Sequence, residues 1–161
     1  MFGNPAELRD IKKQITPLAV PGEIMPDFTL VSTRGTRVRL SDYRGRRDVV
    51  LVFSGRGNSE MVRGLLQRVS EQYPEFVSEE TQVLAVVQGA KGVAELLEQN
   101  RDLPFLVLTD EESRVHNMAG ALKSADDYTP VVHVIDRYGE IRHVFRTEQF
   151  EPVCTAAEIL D

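Results

Sequence analysis

The chain has 161 residues, 42% of them hydrophobic and 27% charged, and it carries a net charge of −6 at pH 7. This length predicts one domain with a sizeable core, and the composition is typical of a soluble globular protein. The acidic balance argues against general nucleic-acid binding, which needs a positive surface. No apolar run reaches the roughly 20 residues of a transmembrane helix, and the start of the chain does not resemble a secretory signal. We therefore expect a cytoplasmic protein that neither binds nucleic acid nor inserts into a membrane.

The cysteine and histidine content argues against disulfide and metal cross-links. Cys154 is the only cysteine, so no disulfide can form within the chain. His116, His133 and His143 do not cluster at the spacing of metal ligands, and we expect neither a metal nor a cofactor. Two interpretations of Cys154 stay open: a small apolar side chain packed in a C-terminal helix, or a reactive thiol.

Apolar residues at helical spacing predict a helical extension at residues 1–19, and several prolines then interrupt the chain. We place the domain at residues 20–161. It opens with a predicted β-hairpin of residues 28–31 and 36–40 around an Arg-Gly turn. A short helical turn closed by glycine follows at 41–45.

Strands and helices alternate through the rest of the chain. The run from Val49 to Phe53 is continuously apolar and rich in β-branched residues, which is typical of a strand covered on both faces. An amphipathic helix is predicted from Ser59 to about Phe76. The later predicted elements are strands at 83–87 and 105–108, helices at 93–99 and 113–122, a hairpin of 131–135 with 141–145, and a helix at 152–160. This order predicts an α/β fold with a mixed central sheet, an N-terminal β-hairpin and helices on both faces.

Two groups of sequence strings resemble motifs of a known family. Residues 22–30 read GEIMPDFTL and residues 40–45 read LSDYRG, which resembles the opening of redoxin and AhpC/TSA domains, where a P-D-F-x-L strand precedes a glycine turn and an L-S-D-x-x-G segment. Residues 129–136 read TPVVHVID, which is similar to the T-P-x-x-F-x-I-D string of the thiol-disulfide members. The resemblance covers residues 20–160 and implies the thioredoxin fold in its peroxiredoxin-like form.

The same resemblance implies that the reactive cysteines are missing. Many redoxins carry C-x-x-C-R where the strand at 49–53 leads into its helix, and the corresponding residues here are Ser59, Val62 and Arg63. The peroxiredoxin register, P-x-x-x-T-x-x-C, falls on Gly55, Ser59 and Val62 and again contains no thiol. Because the nucleophile of this chemistry is a thiolate at a helix N-terminus, a serine cannot replace it. We therefore predict a degenerate active site, with Ser59 and Val62 at vacated catalytic positions.

The remaining residues favour binding over catalysis. In the resembled family the edge of the sheet that carries the Thr-Pro pair receives an extended substrate peptide, which it could still do without redox chemistry. The peroxiredoxin pattern also expects an arginine where Pro130 stands, so the resemblance is greater to the thioredoxin-like branch. We expect an accessory or structural subunit that binds a protein partner. The predicted binding surface comprises Arg56, Asn58, Ser59, Arg63, Thr129 and Pro130.

Two alternatives stay open. An atypical antioxidant thiol oxidoreductase or peroxidase could act through Cys154, with a homo-oligomer bringing two copies together. The glycine-rich loop from Gly55 to Ser59 could hold a small anion at the helix N-terminus. A tight turn in which Asn58 or Ser59 caps the helix explains the same residues without a ligand.

The charge is unevenly distributed along the sequence. Arginines concentrate between residues 34 and 63, and acidic residues concentrate between residues 71 and 112. This pattern indicates either an ordinary solvated surface or a bipolar one that steers a protein partner.

Overall fold

The computed structural model describes residues 20–55, 60–89, 94–95, 103–120 and 130–146. In this part of the chain seven strands form one sheet. The strands are β1 (Thr29–Ser32), β2 (Arg37–Arg39), β3 (Asp48–Phe53), β4 (Thr81–Gln88), β5 (Leu106–Asp110), β6 (Val131–Ile135) and β7 (Ile141–Arg146). The helices are α1 (Glu60–Glu71), α2 (Tyr73–Ser78) and α3 (Arg114–Met118), and a 3₁₀ turn spans Leu40–Tyr43.

The sheet is mixed, with the strand order β2-β1-β5-β4-β3-β6-β7. β3, β4 and β5 run parallel to one another. β1 and β2 on one side, and β6 and β7 on the other, add antiparallel pairs. The predicted α/β fold, with its mixed sheet and N-terminal hairpin, is therefore confirmed.

Apolar side chains alternate between the two faces of the sheet, as the pleat of a strand requires. On one face, Val52 of β3 belongs to the same cluster as Leu66 of α1, and we call this the α1 face. On the other face, Phe53 belongs to the same cluster as Val115 of α3, and we call this the α3 face. Every residue of β3 after Asp48 is buried. Helices cover both faces, as predicted.

The helical region after β3 differs from its prediction. A single continuous helix from Ser59 to about Phe76 is wrong, because α1 ends at Glu71 and α2 begins at Tyr73. Pro74 occupies the first turn of α2, where its missing N–H is tolerated, whereas it would have interrupted the interior of a longer helix. The predicted apolar stripe is confirmed, since α1 buries Val62, Leu65, Leu66 and Val69.

Both predicted hairpins turn at a glycine. Gly35 joins β1 to β2 with φ of 82°, and Gly139 joins β6 to β7 with φ of 89°, a conformation that glycine adopts without a steric penalty. Asp136 at the second turn accepts hydrogen bonds from the N–H groups of Tyr138 and Glu140 at 2.9 and 3.0 Å. Asp136 therefore has a structural role in the turn.

Several predicted helices lie outside the described residues. These are the extension at 1–19, the final helix at 152–160, most of 93–99 and the end of 113–122. Ala94 is in a helical conformation, and α3 accounts for the beginning of the 113–122 segment. Among the described helices, none combines the length and the hydropathy that a membrane span requires.

Candidate functional site at the carboxyl edge of the sheet

The carboxyl ends of β3, β4 and β5 meet at one edge of the sheet, because these strands are parallel neighbours. β6 begins at the same edge, since it runs antiparallel to β3 and pairs Val131 with Phe53. The buried Pro130 directly precedes Val131 and therefore lies next to the end of β3. Open α/β sheets commonly bind ligands at this edge. We call it the carboxyl edge.

The structure places three of the predicted site residues at or near this edge. Val62 is wholly buried in the first turn of α1, and Arg63 beside it is half-buried. Pro130 is buried at the start of β6. The other predicted residues, Arg56, Asn58, Ser59, Thr129 and Cys154, lie outside the described residues. Their grouping into one surface, and the state of the Cys154 thiol, stay predictions.

A polar network ties three elements together at the carboxyl edge. The hydroxyl of Ser54, just after β3, accepts a hydrogen bond from the Gln88 N–H at 3.0 Å and donates one to the Gly55 carbonyl at 2.9 Å. The Gln88 side-chain amide, at the end of β4, donates to the Ser113 hydroxyl at 2.7 Å. Ser113 directly precedes α3. The ends of β3 and β4 are therefore held in a fixed relation to the start of α3.

Asp110 and His116 form a buried pair at the same edge. The Nδ1 of His116 lies 2.8 Å from Oδ2 of Asp110, and both side chains are almost completely buried. The carboxylate of Asp110 also accepts the backbone N–H groups of Val115 and His116 at 3.2 and 2.8 Å. Asp110 thus satisfies the unpaired N–H groups at the start of α3 and fixes the imidazole of His116.

The hydrogen bonds of this pair determine its protonation. Burial raises the pKa of Asp110, but the hydrogen bonds from His116 and Val115 outweigh burial, so the pKa of Asp110 lies below its ordinary value. An ionised carboxylate can only accept, so the Nδ1 of His116 must carry the proton. The other ring nitrogen, Nε2, is buried and has no hydrogen-bond partner among the described residues.

Phe53 connects the two buried histidines of the α3 face. Its ring packs edge-on against both imidazole rings, with centroid-to-centroid distances of 5.2 Å to His116 and 5.1 Å to His133. These distances lie within the range of favourable aromatic contacts. His133 is wholly buried, which supports a packing role, whereas His143 on β7 is exposed. Within the described residues, no group of histidine, cysteine and acidic side chains is arranged to hold a metal ion.

A surface cleft of about 400 Å³ adjoins this edge. It opens where β1 and β5 separate, since their pairing is limited to Val31 with Thr109 and Ser32 with Leu108. Its lining residues are Thr29, Leu30, Val31, Thr109, Asp110, Glu111, Glu112 and Arg114. The lining carries three acidic residues and one arginine, so its charge is acidic on balance.

Neither the Ser54–Gln88–Ser113 network nor the Asp110–His116 pair was predicted from the sequence. An aspartate at a strand end, followed by a serine and a short helix, is a signal for a helix start, and it could have identified Asp110 as a capping residue. The partnership with His116 has no comparable sequence signal. It depends on the direction in which α3 leaves the sheet after Ser113, which has a left-handed backbone with φ of 57°.

Comparisons with known proteins agree with the fold. Residues 21–144 match the AhpC/TSA family. The chain is 31% identical over 132 residues to the thiol-disulfide oxidoreductase ResA of Geobacillus kaustophilus, covering 80% of this chain and 70% of that protein. It is 26% identical over 158 residues to the chloroplastic peroxiredoxin Q of Suaeda salsa, covering 92% and 69%.

A solved structure extends the agreement. The peroxidoxin BcpB of Mycobacterium tuberculosis matches with a TM-score of 0.78 at 17% identity, over 88% of this chain and 95% of that chain. This likeness supports the thioredoxin-like fold. The family match covers most of the described sheet, and the single cysteine of the chain is consistent with the missing pair. The chain belongs to the AhpC/TSA family of the thioredoxin-like superfamily.

Proposed function

We propose that this chain is a redox-inactive member of its family that binds a protein partner at the carboxyl edge. The observation that carries the proposal is Val62, which is apolar and 0% exposed in the first turn of α1. In the C-x-x-C-R register, the second cysteine would take this position. A valine there supplies neither a nucleophile nor a disulfide partner.

Val62 has a structural role at the vacated position. It belongs to the cluster of the α1 face, together with Leu66 of α1 and Val52 of β3. Burying a side chain of this size stabilises a fold by about 1.5–3 kcal/mol. Val62 therefore supports the attachment of α1 to the sheet, which favours a scaffold kept for binding.

The carboxyl edge has the properties of a preorganised binding surface. The Ser54–Gln88–Ser113 network and the Asp110 contacts hold the strand ends and the start of α3 in place. A surface that is fixed before binding loses less conformational entropy when a partner docks. This rigidity supports a binding role that requires no thiol.

The loss of redox chemistry can be tested by restoring the cysteines. We would measure insulin disulfide reduction and hydrogen peroxide consumption, each with a thiol reductant, for the wild type and for Ser59→Cys/Val62→Cys. The wild type should show no turnover above the reductant alone, whereas the double variant should form a disulfide and gain disulfide-reductase activity. Turnover by the wild type would contradict the proposal.

The binding site can be tested with a photo-crosslinking amino acid. It would be placed at position 56 of the proposed surface and, as a matched control, at position 68 on α1. We expect a specific crosslinked partner from position 56 only, and Arg56→Glu should weaken the purified complex while Arg68→Glu leaves it unchanged. Equal crosslinking from both positions would argue against the carboxyl edge.

The similarity to a peroxiredoxin supports one alternative, a peroxidase that uses Cys154. This alternative predicts that the wild type consumes hydrogen peroxide and that Cys154→Ala abolishes consumption. It requires a thiolate at neutral pH, so a thiol-specific alkylating reagent should react with the folded protein faster than with a free cysteine. Equal, background rates for the wild type and Cys154→Ala would exclude the alternative.

A further inference from the structure

A basic stretch lies at one end of the sheet, away from the carboxyl-edge residues described above. Residues 34–47 contain six arginines and one acidic residue, Asp42, in a chain whose net charge is −6. The stretch covers β2, the end strand of the sheet, and the 3₁₀ turn that follows it. The exposed arginines are Arg34, Arg37, Arg39, Arg44, Arg46 and Arg47.

The backbone N–H and C=O groups of two β2 residues point away from β1, toward the open side of this edge strand. The Thr36 carbonyl accepts a hydrogen bond from the Ser32 N–H of β1 at 2.8 Å. The Leu40 N–H donates one to the Phe28 carbonyl at 3.1 Å. Because backbone direction alternates along an antiparallel strand, the N–H and C=O groups of Arg37 and Arg39 face away from β1. In the described part of the chain no strand pairs with β2 on that side.

The side chains of the same two residues are also available. Arg37 and Arg39 are exposed, while Val38 between them is buried in the cluster of the α3 face. Arg37 pairs across the hairpin with Val31, which is 45% exposed. Neither guanidinium forms an ion pair with another described residue. β2 therefore presents backbone hydrogen-bonding groups, two positive charges and a small apolar contact on one surface.

Charge decides between two ways to cover this strand. A second copy that paired through its own β2 would bring Arg37 and Arg39 against the same arginines, and like charges on adjacent strands destabilise pairing. Charges on an end strand also discourage non-specific aggregation. An acidic segment, in contrast, would gain both the backbone hydrogen bonds and the charge complementarity.

We propose that β2 binds an extended acidic segment of a partner protein, which adds to the sheet as a further strand. In such a pair, alternate residues of the segment share a face with Arg37 and Arg39, so carboxylates are expected at every second position. The residue between them lies on the side of Val38 and is expected to be apolar. This surface is separate from the carboxyl edge, so the proposal does not depend on the proposed function.

The probe for this site is a labelled peptide in which glutamate alternates with valine. Its binding would be followed by fluorescence anisotropy at about 50 and about 200 mM salt, since charge pairing weakens as salt rises. One control peptide replaces each glutamate by lysine. A second control carries N-methyl groups on alternate backbone nitrogens, which blocks strand pairing but keeps every carboxylate. We expect only the unmodified acidic peptide to bind.

Substitutions separate the contributions of charge and backbone. Arg37→Ala/Arg39→Ala should weaken peptide binding about tenfold, while Arg68→Ala on α1 should leave it unchanged. Arg39→Pro should weaken binding about fivefold more than Arg39→Ala, because it also removes an outward N–H group. Proline at this edge-strand position loses no hydrogen bond to β1, but its ring requires a φ near −65° where Arg39 has −112°. Thermal unfolding of both variants therefore accompanies the binding measurement.

Three results would overturn the proposal. The first is no binding of the acidic peptide at either salt concentration. The second is equal binding of the N-methylated peptide, which would show that charge alone attracts it. The third is dimerisation of the free protein that Arg39→Pro abolishes, which would make a second copy the occupant of β2.

Discussion

The two faces of the sheet bury different kinds of side chain. The α1 face packs apolar side chains of α1 and α2 against the strands. The α3 face also encloses the polar residues Asp110, His116 and His133, and both histidine rings contact Phe53. An apolar cluster responds mainly to lost volume or to an added polar atom. A buried polar pair depends on each of its hydrogen bonds. The faces should therefore differ in which substitutions they tolerate.

The largest expected effect is on the α3 face. Asp110→Ala removes the acceptor for the His116 ring and for two backbone N–H groups, and we expect it to lower the free energy of unfolding by about 3–5 kcal/mol. Leu66→Ala, its matched cavity variant on the α1 face, should cost about 2–5 kcal/mol. Urea unfolding at neutral pH measures both. A cost below about 1 kcal/mol for Asp110→Ala would mean that its hydrogen bonds contribute little to stability.

A nearly isosteric substitution tests the polarity of the α1 face. Val62→Thr keeps the shape of the side chain but places a hydroxyl in a wholly buried apolar site, and we expect a loss of about 1–3 kcal/mol. Val77→Thr is the control, because Val77 is exposed and should change stability by less than about 0.5 kcal/mol. Equal thermal shifts for the two variants would contradict the assignment of Val62 to the core.

An apolar replacement of His116 should have a smaller effect than loss of Asp110. His116→Phe removes the hydrogen bond from the ring Nδ1 to Asp110 and keeps ring packing against Phe53, while the backbone N–H groups still bond to Asp110. We expect a cost of about 1–2 kcal/mol, close to the value of one hydrogen bond to a charged group. A cost equal to that of Asp110→Ala in the same urea experiment would show that the hydrogen bond between the His116 ring and Asp110 provides most of the stabilisation by this pair.

The smallest expected effect appears in acid. The folded pKa of Asp110 is lowered because hydrogen bonds outweigh the opposing effect of burial, so this group stabilises the fold above its unfolded pKa of about 3.9. The contribution is lost as pH falls through the folded pKa, since the unfolded chain binds the extra proton. Asp110→Asn should reduce the slope of the free energy of unfolding against pH in this acid range. Parallel curves for variant and wild type below about pH 4 would contradict the expectation.

Much of the sheet could be predicted from local sequence patterns. The β-branched run at 49–53 marks a buried strand, and glycines at the turns identify both hairpins, because these signals reflect short-range backbone preferences. The break between α1 and α2 at Gln72 was missed, although Pro74 marks it. The apolar pattern continues through Tyr73 and hides the interruption, since Tyr73 still packs against the α1-face cluster.

The candidate site was less predictable than the sheet. The motif register predicted that Val62 takes a cysteine position, but the Asp110–His116 pair depends on a turn with unusual backbone conformation at Ser113. Ser54 and Gln88 are far apart in the sequence, and only the parallel pairing of β3 with β4 brings them together. Long-range contacts of this kind carry no periodic signal in one sequence.

The position of β3 inside the sheet has a consequence for the residues that follow it in the sequence. β3 pairs with β4 from Asp48 to Phe53 and with β6 from Val49 to Phe53, so its amide protons should be among the slowest of the chain to exchange with solvent. The strand that precedes residues 56–59 is therefore hydrogen-bonded to a neighbour on both sides. Substitutions at residues 56–59 are therefore expected to leave the sheet intact. Evolution could change the chemical groups at this position while the fold stays the same.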